Sequence, residues 1–279
     1  KNLNAAFLIN SGAEAVENCL KLAMRKQKQA KFGISFENSF HGRTLGALSC
    51  TNSKAIQKKN FLSIPMKRLP YNETAIEKLN YLLKHESSSK EIGFIIIETQ
   101  QGEGGYNVAP IKLMKDLRKF TKQHNIPLIC DEVQSGLGRT GKWWSFEHYN
   151  IEPDLFSSAK ALQVGASICN KSFIPEQGTI SSTWGGGHLI DLAVGLETIK
   201  IIKRKNLLSN VNKQGYQLIK GLDKINNISN IRGRGLMIAF DMQNKNQRNN
   251  LVIECLKQGL VVLGCGEKSI RIVPSYIIE

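Results

Sequence analysis

Two residues in this 279-residue chain stand where covalent and acid–base chemistry is possible. Lys160 follows the run Leu155-Phe156-Ser157-Ser158-Ala159, and Asp131 follows Leu128-Ile129-Cys130. A lysine held in a closed site can lose its proton and form a Schiff base with a carbonyl. Most lysines are simply solvated, so Lys160 takes its interest from its context. A carboxylate at a buried strand end needs a partner, and a protonated heterocyclic nitrogen is a good one. Three further apolar runs end in the same way. Ala6 to Ile9 leads into Asn10-Ser11-Gly12-Ala13-Glu14, a small-residue turn whose N–H groups suit a phosphate, although most such turns are only helix caps. Gly33 to Phe36 leads into Ser39-Phe40-His41-Gly42-Arg43-Thr44, and Ile92 to Ile97 into Glu98-Thr99-Gln100-Gln101-Gly102-Glu103-Gly104-Gly105.

The elements that must position these groups alternate along the chain. Val16, Cys19, Leu20, Ala23 and Met24 recur at the spacing of one helix face, and Ser11 with Glu14 forms a capping box at its start. Pro110 opens a helix carrying Leu113, Met114, Leu117 and Phe120. Short strands are expected at the other four runs above and, more weakly, at Leu155 to Ser158 and Ala166 to Cys169. This alternation predicts an α/β fold with a mostly parallel central sheet, in which functional groups gather at the carboxyl ends of the strands. After about Gly187 the pattern changes. Helices over about His188 to Lys205, Leu208 to Leu222 and Leu251 to Gln258 precede or separate short runs at Leu236 to Phe240, Leu260 to Leu263 and Ile270 to Val273. The chain therefore divides into a large unit over 1–190 and a smaller α+β unit over 191–279.

Composition bounds the remaining choices. A hydrophobic fraction of 41% and a charged fraction of 22% exclude a disordered tail and a disulfide miniprotein. The apolar stretches fall far short of the roughly 20 residues that cross a bilayer, so a soluble, cytoplasmic protein with no membrane partner is expected. The six cysteines form no CxxC pair and no zinc spacing, so buried free thiols and no metal are expected. The net charge of +15 raises a nucleic-acid hypothesis. The basic residues are scattered over helix faces, however, and a basic nucleic-acid-binding protein leaves the strand-end groups unexplained.

Taken in order, the motifs resemble one family. They are Asn10-Ser11-Gly12-Ala13-Glu14-Ala15-Val16-Glu17, Phe40-His41-Gly42-Arg43-Thr44, Gln101-Gly102-Glu103-Gly104-Gly105, and Asp131-Glu132-Val133-Gln134 running on to Gly138-Arg139-Thr140-Gly141. Ser158-Ala159-Lys160, Ser182-Thr183-Trp184-Gly185-Gly186 and Arg232-Gly233-Arg234-Gly235-Leu236-Met237 complete the set. The chain resembles the class III aminotransferases among the fold-type I pyridoxal-phosphate enzymes, a group that includes acetylornithine, ornithine, 4-aminobutyrate and lysine 6-aminotransferases. The resemblance implies that Lys160 carries pyridoxal 5′-phosphate as a Schiff base. It implies that Asp131 pairs with the pyridinium nitrogen, Phe40 stacks on one ring face and Val133 packs on the other. Gln134 would bond the phenolic oxygen, and Gly12 and Ala13 would offer N–H groups to the phosphate. Thr183 would reach the phosphate of a neighbouring subunit, which implies a homodimer with shared active sites. Arg271 would hold a substrate carboxylate, Glu103 would mask that arginine in one half-reaction, and Glu98 would face the substrate pocket in support. His41 is expected to be structural.

The implied reaction is ping-pong transfer of an amino group from a terminal-amine donor to a keto acid such as 2-oxoglutarate. An amino-acid racemase or glutamate-semialdehyde aminomutase would share the same lysine. Three departures stand out. The family's long N-terminal segment and last helix are absent, so a fragment is expected. The loop Ala161-Leu162-Gln163-Val164-Gly165-Ala166 is short and looks most like the lysine 6-aminotransferases. Thr99 and Gln100 replace the usual proline and aliphatic residue after Glu98.

Overall fold

The computed structural model describes residues 2–180 and 186–279. Its elements run β1 (Leu3–Ile9), α1 (Gly12–Lys26), β2 (Phe32–Phe36), α2 (Leu45–Cys50), β3 (Met66–Leu69), α3 (Thr74–His85), β4 (Ile92–Ile97), α4 (Ile111–Gln123), β5 (Leu128–Asp131), β6 (Leu155–Ser158) and β7 (Gly165–Asn170). Then follow α5 (Leu189–Arg204), α6 (Leu207–Leu222), β8 (Ser229–Arg234), β9 (Met237–Asp241), α7 (Lys245–Lys257), β10 (Leu263–Cys265) and β11 (Ser269–Ile272).

Seven strands form one sheet in the order β1-β7-β6-β5-β4-β2-β3. β3, β2, β4, β5 and β6 are parallel to one another, while β7 runs antiparallel between β6 and β1. The interior strand β4 is buried at all six positions, as a parallel strand covered on both faces must be. Its side chains alternate between two cores. Ile95 and Ile97 pack with Leu79 of α3 and with Leu113, Met114 and Leu117 of α4. Phe94 and Ile96 pack with Val16, Cys19, Leu20 and Ala23 of α1 on the opposite face. The result is a helix–sheet–helix sandwich.

Helix α1 starts where the sequence places it. Ser11 is extended, and its hydroxyl accepts from the Glu14 N–H at 3.2 Å, so the Ser11 half of the expected box forms. Pro110 stands at the N-cap of α4, one residue earlier than the first turn.

The second sheet has four antiparallel strands in the order β10-β11-β9-β8. Ile238, Phe240 and Ile270 pack there with Leu222 at the end of α6 and with Leu251, Val252 and Cys255 of α7. Ala239 and Met237 of β9 are buried against Tyr106, which follows the loop after β4. Among the described residues, no helix is long and apolar enough to cross a membrane.

Candidate active site

The carboxyl ends of β2, β4, β5 and β6 open into one cavity of about 580 Å³. Its wall includes Gly12, Ala13, Phe40, Glu98, Asp131, Val133, Gln134 and Lys160. The structure thus brings eight of the sequence-designated residues together. Glu103 and Arg271 lie outside that wall and pair with each other. Thr183 lies outside the described residues.

Asp131 is the last residue of β5 and is 5% exposed. A buried carboxylate is tolerable only if its oxygens are satisfied. Its Oδ2 accepts from His41 Nδ1 at 2.8 Å. Its Oδ1 accepts from Ser157 Oγ at 2.9 Å and from the Val133 N–H at 3.1 Å. A carboxylate offers about four acceptor directions, so these three bonds fix the group and leave one for a ligand.

Lys160 follows β6 at the opening of a short 3₁₀ turn, and its side chain is exposed to the cavity. The head of α1 supplies another wall. Ser11 caps the Glu14 N–H, while the N–H groups of Gly12 and Ala13 stand at the helix's positive end. Gly12 is needed there because a Cβ would sit 2.7 Å from Val133 Cγ1.

The turn carrying Phe40 is held from three sides. Glu98 Oε2 accepts from the Phe40 N–H at 2.9 Å, and its Oε1 accepts from the Gly102 N–H at 2.8 Å. Thr51 Oγ1 accepts from the His41 N–H at 2.9 Å. Glu17 Oε1 accepts from Thr44 Oγ1, Gly46 N–H and Ala47 N–H at 2.6, 2.8 and 3.1 Å. Burial pushes the Glu98 carboxyl up to about 7, with Asp131 adding to the rise and His41 opposing it. Glu132 is buried beside Asp131. It accepts from the Ser145 and Phe146 N–H groups at 2.9 Å and from Ser135 Oγ at 2.9 Å, and burial raises it too to about 7.

Arg271 on β11 donates from Nη1 to Glu103 Oε1 at 2.6 Å. Burial opposes the arginine's charge, but the Glu103 carboxylate outweighs that and raises its affinity for the proton.

Two cavity residues carry more than the motif reading gave them. His41 is 3% exposed and bonds Asp131 directly, so it orients the carboxylate rather than merely filling space. Arg43 is exposed in the same wall and offers a forked cation near Lys160. The available signal was adjacency, since both follow Phe40 within three residues at a strand end.

The chain belongs to the class III aminotransferases. The family model described as Aminotransferase class-III matches residues 2–279. The chain is 41% identical over 295 residues to an acetylornithine aminotransferase of Prochlorococcus marinus, covering 99% of this chain and 70% of that protein. Its fold matches that of an ornithine aminotransferase from Toxoplasma gondii with a TM-score of 0.88 and 26% identity, over 99% of this chain and 69% of the other. A lysine aminotransferase from M. tuberculosis shares the fold at a TM-score of 0.93 and 24% identity, over 100% and 72% of the two chains. The chain therefore spans about 70% of the length of these relatives.

Enzymes of this class use pyridoxal 5′-phosphate, and the cavity fits that group. It holds an amine, a carboxylate with one acceptor direction left, an aromatic face and the head of a helix. The Gln134 side-chain oxygen is buried on the same wall with no partner among the described residues, as a group awaiting a polar ligand would be.

Proposed function

We propose that this chain moves the terminal amino group of an N-acetylornithine-like donor to a keto acid of the 2-oxoglutarate type, in two successive half-reactions. The observation that carries this reading is the convergence of Lys160 and Asp131, from neighbouring strand ends, on one cavity. The relatives named acetylornithine aminotransferase support the donor class.

Pyridoxal 5′-phosphate, when bound, supplies a ring that accepts the electron pair left as a proton leaves the amine-bearing carbon. Lys160 Nζ would hold that group and is the base placed to move the proton at the amine-bearing carbon. Asp131 keeps a positive charge on the ring nitrogen, because a fixed anion nearby favours the protonated form. His41 Nδ1–H and Ser157 Oγ–H hold Asp131 in place for this. The Gly12 and Ala13 N–H groups bind the phosphate at the head of α1. Phe40 and Val133 would hold the ring from either side, and the Gln134 amide would bond its phenolic oxygen. Glu98 sets the distance between the Phe40 turn and the loop at Gly102.

Arg43 holds a donor carboxylate at the cavity wall. Arg271 takes the acceptor's second carboxylate once Glu103 releases it, a bidentate match that excludes lysine as a substitute. The same reading carries a cytoplasmic homodimer. The exposed Leu189, Ile190 and Leu196 of α5 support such an interface.

The test is an absorption spectrum with pyridoxal 5′-phosphate, before and after borohydride, for wild type and Lys160→Ala. Wild type should show a visible band and a covalent adduct at Lys160, and the variant neither. Donors are then screened with and without 2-oxoglutarate. Turnover that needs the keto acid supports transamination, whereas turnover without it makes the chain a racemase or aminomutase. Absence of band and adduct in wild type sinks the reading.

A further inference from the structure

The motif Arg232-Gly233-Arg234-Gly235 has no role in the site described above, yet the small sheet aims Arg232 at it. Arg232 on β8 and Arg271 on β11 both pair with Ala239 on the intervening β9. Residues opposite one another in neighbouring strands share a face of the sheet. Arg232, Ala239 and Arg271 therefore form a row, with Asp241 and Ser269 one step along it.

The glycine-rich loop after β4 lies on this face. Glu103 Oε1 accepts from Arg271, and Gly105 O accepts from Arg232 Nη2 at 2.5 Å. The Glu103 carbonyl accepts from the Gly266 N–H at 2.9 Å. Ala239 packs with Tyr106, the residue that follows this loop.

The two arginines differ in how their charge is balanced. Arg271 draws its counter-charge from Glu103, across the gap between the sheets. Arg232 draws it from its own sheet, donating to Asp241 Oδ1 at 2.9 Å, and it also donates to Ser269 Oγ at 2.7 Å. Ser269 Oγ–H in turn donates to Asp241 Oδ1 at 2.6 Å. Releasing the Glu103 carboxylate changes nothing at Arg232, whose bond to the loop is to a backbone carbonyl.

We propose that Arg232 is a positioning residue for the acceptor half-reaction, pinning the loop backbone to the small sheet so that Glu103 releases Arg271 by moving its side chain alone. Two glycines on either side of the Gly104–Gly105 bond make the loop backbone intrinsically free; the Gly266 N–H and the Asn107 amide hold the carbonyls of Glu103 and Gly104, and Arg232 adds the restraint at Gly105. Without it, the loop follows Glu103, and Glu103 competes more effectively with the acceptor's carboxylate for Arg271. This inference rests on the reading of Glu103 and Arg271 given under the proposed function.

Single-turnover kinetics on the loaded enzyme test it. Arg232→Lys keeps a positive charge beside Asp241, so it is expected to fold, but it loses the fork that reaches Gly105. The donor half-reaction should change by less than about threefold, while the apparent KM for 2-oxoglutarate rises about tenfold, the scale of one lost bond to a charged donor. In a Glu103→Gln background the Arg232→Lys effect on KM should vanish, because no carboxylate remains to compete. An equal loss in both half-reactions, or an effect that persists in that background, overturns the proposal while leaving the aminotransferase reading intact. A wild type without the borohydride adduct overturns both.

Discussion

Three donors already hold Asp131, and the geometry ranks them. His41 Nδ1 makes the shortest of the bonds, from a ring that is itself buried. Removing one donor from a buried carboxylate costs about 1.5–3 kcal/mol. His41→Leu, which has no donor, should therefore lower kcat by about 10- to 100-fold in steady-state assays with saturating donor. Lys160 is untouched by that change, so the borohydride adduct should persist. Glu132 permits a different prediction. Its folded-state carboxyl titrates above its ordinary value of 4.5, at about 7, because burial disfavours the anion. The stability it lends is complete below the unfolded value and is lost as pH rises through about 7. Glu132→Gln removes this titration. The melting-temperature difference, variant minus wild type, should therefore move in the variant's favour from about pH 5 to about pH 8. At this scale the sequence exposed the polar groups but not their partners. His41 and Asp131 are 90 residues apart in the chain, and their contact follows only from β2 and β5 ending on the same edge of the sheet.

Three carboxylates tie loops down from another element: Glu17 of α1 at the head of α2, Glu98 after β4 at the Phe40 turn, and Glu132 after β5 at Ser145. The glycine-rich loop obeys a tighter constraint, because a Cβ on Gly104 would overlap the Asn38 carbonyl oxygen. Gly104→Ala should force the loop away from the Phe40 turn and destabilise the fold by about 1–3 kcal/mol, read as a lower midpoint in urea. Elements with a buried periodic face were legible. β4 and α1 fall within a few residues of their apolar patterns, and so does α6. β3 and β8 were not, since Met-Lys-Arg-Leu and Ser-Asn-Ile-Arg-Gly-Arg carry the polarity of edge strands. Helix α7 begins at Lys245, six residues before its first apolar side chain, because Asn244 caps it by accepting from the Gln247 N–H.

Across the whole molecule, the expectation of free thiols has a direct consequence. Cys19, Cys50, Cys130, Cys169 and Cys265 are buried, and burial raises each thiol's pKa. Cys255 on α7 is the one that is partly open. A thiol reagent should modify Cys255 rapidly in the native protein and reach all six only after denaturation. Mass spectrometry of the labelled peptides checks this.

Among the described residues, strand β1 lies at the edge of the large sheet and pairs with β7 alone, Ile9 opposite Gly165. The head of α1, two residues beyond, takes its place from that pairing. On a ribosome, then, β1 must wait without that partner until β7, far along the chain, has emerged. Long-range closure of this kind is slow. The turn at Ser11, translated well before β7, gains its fixed position only after Asn170 has left the exit tunnel.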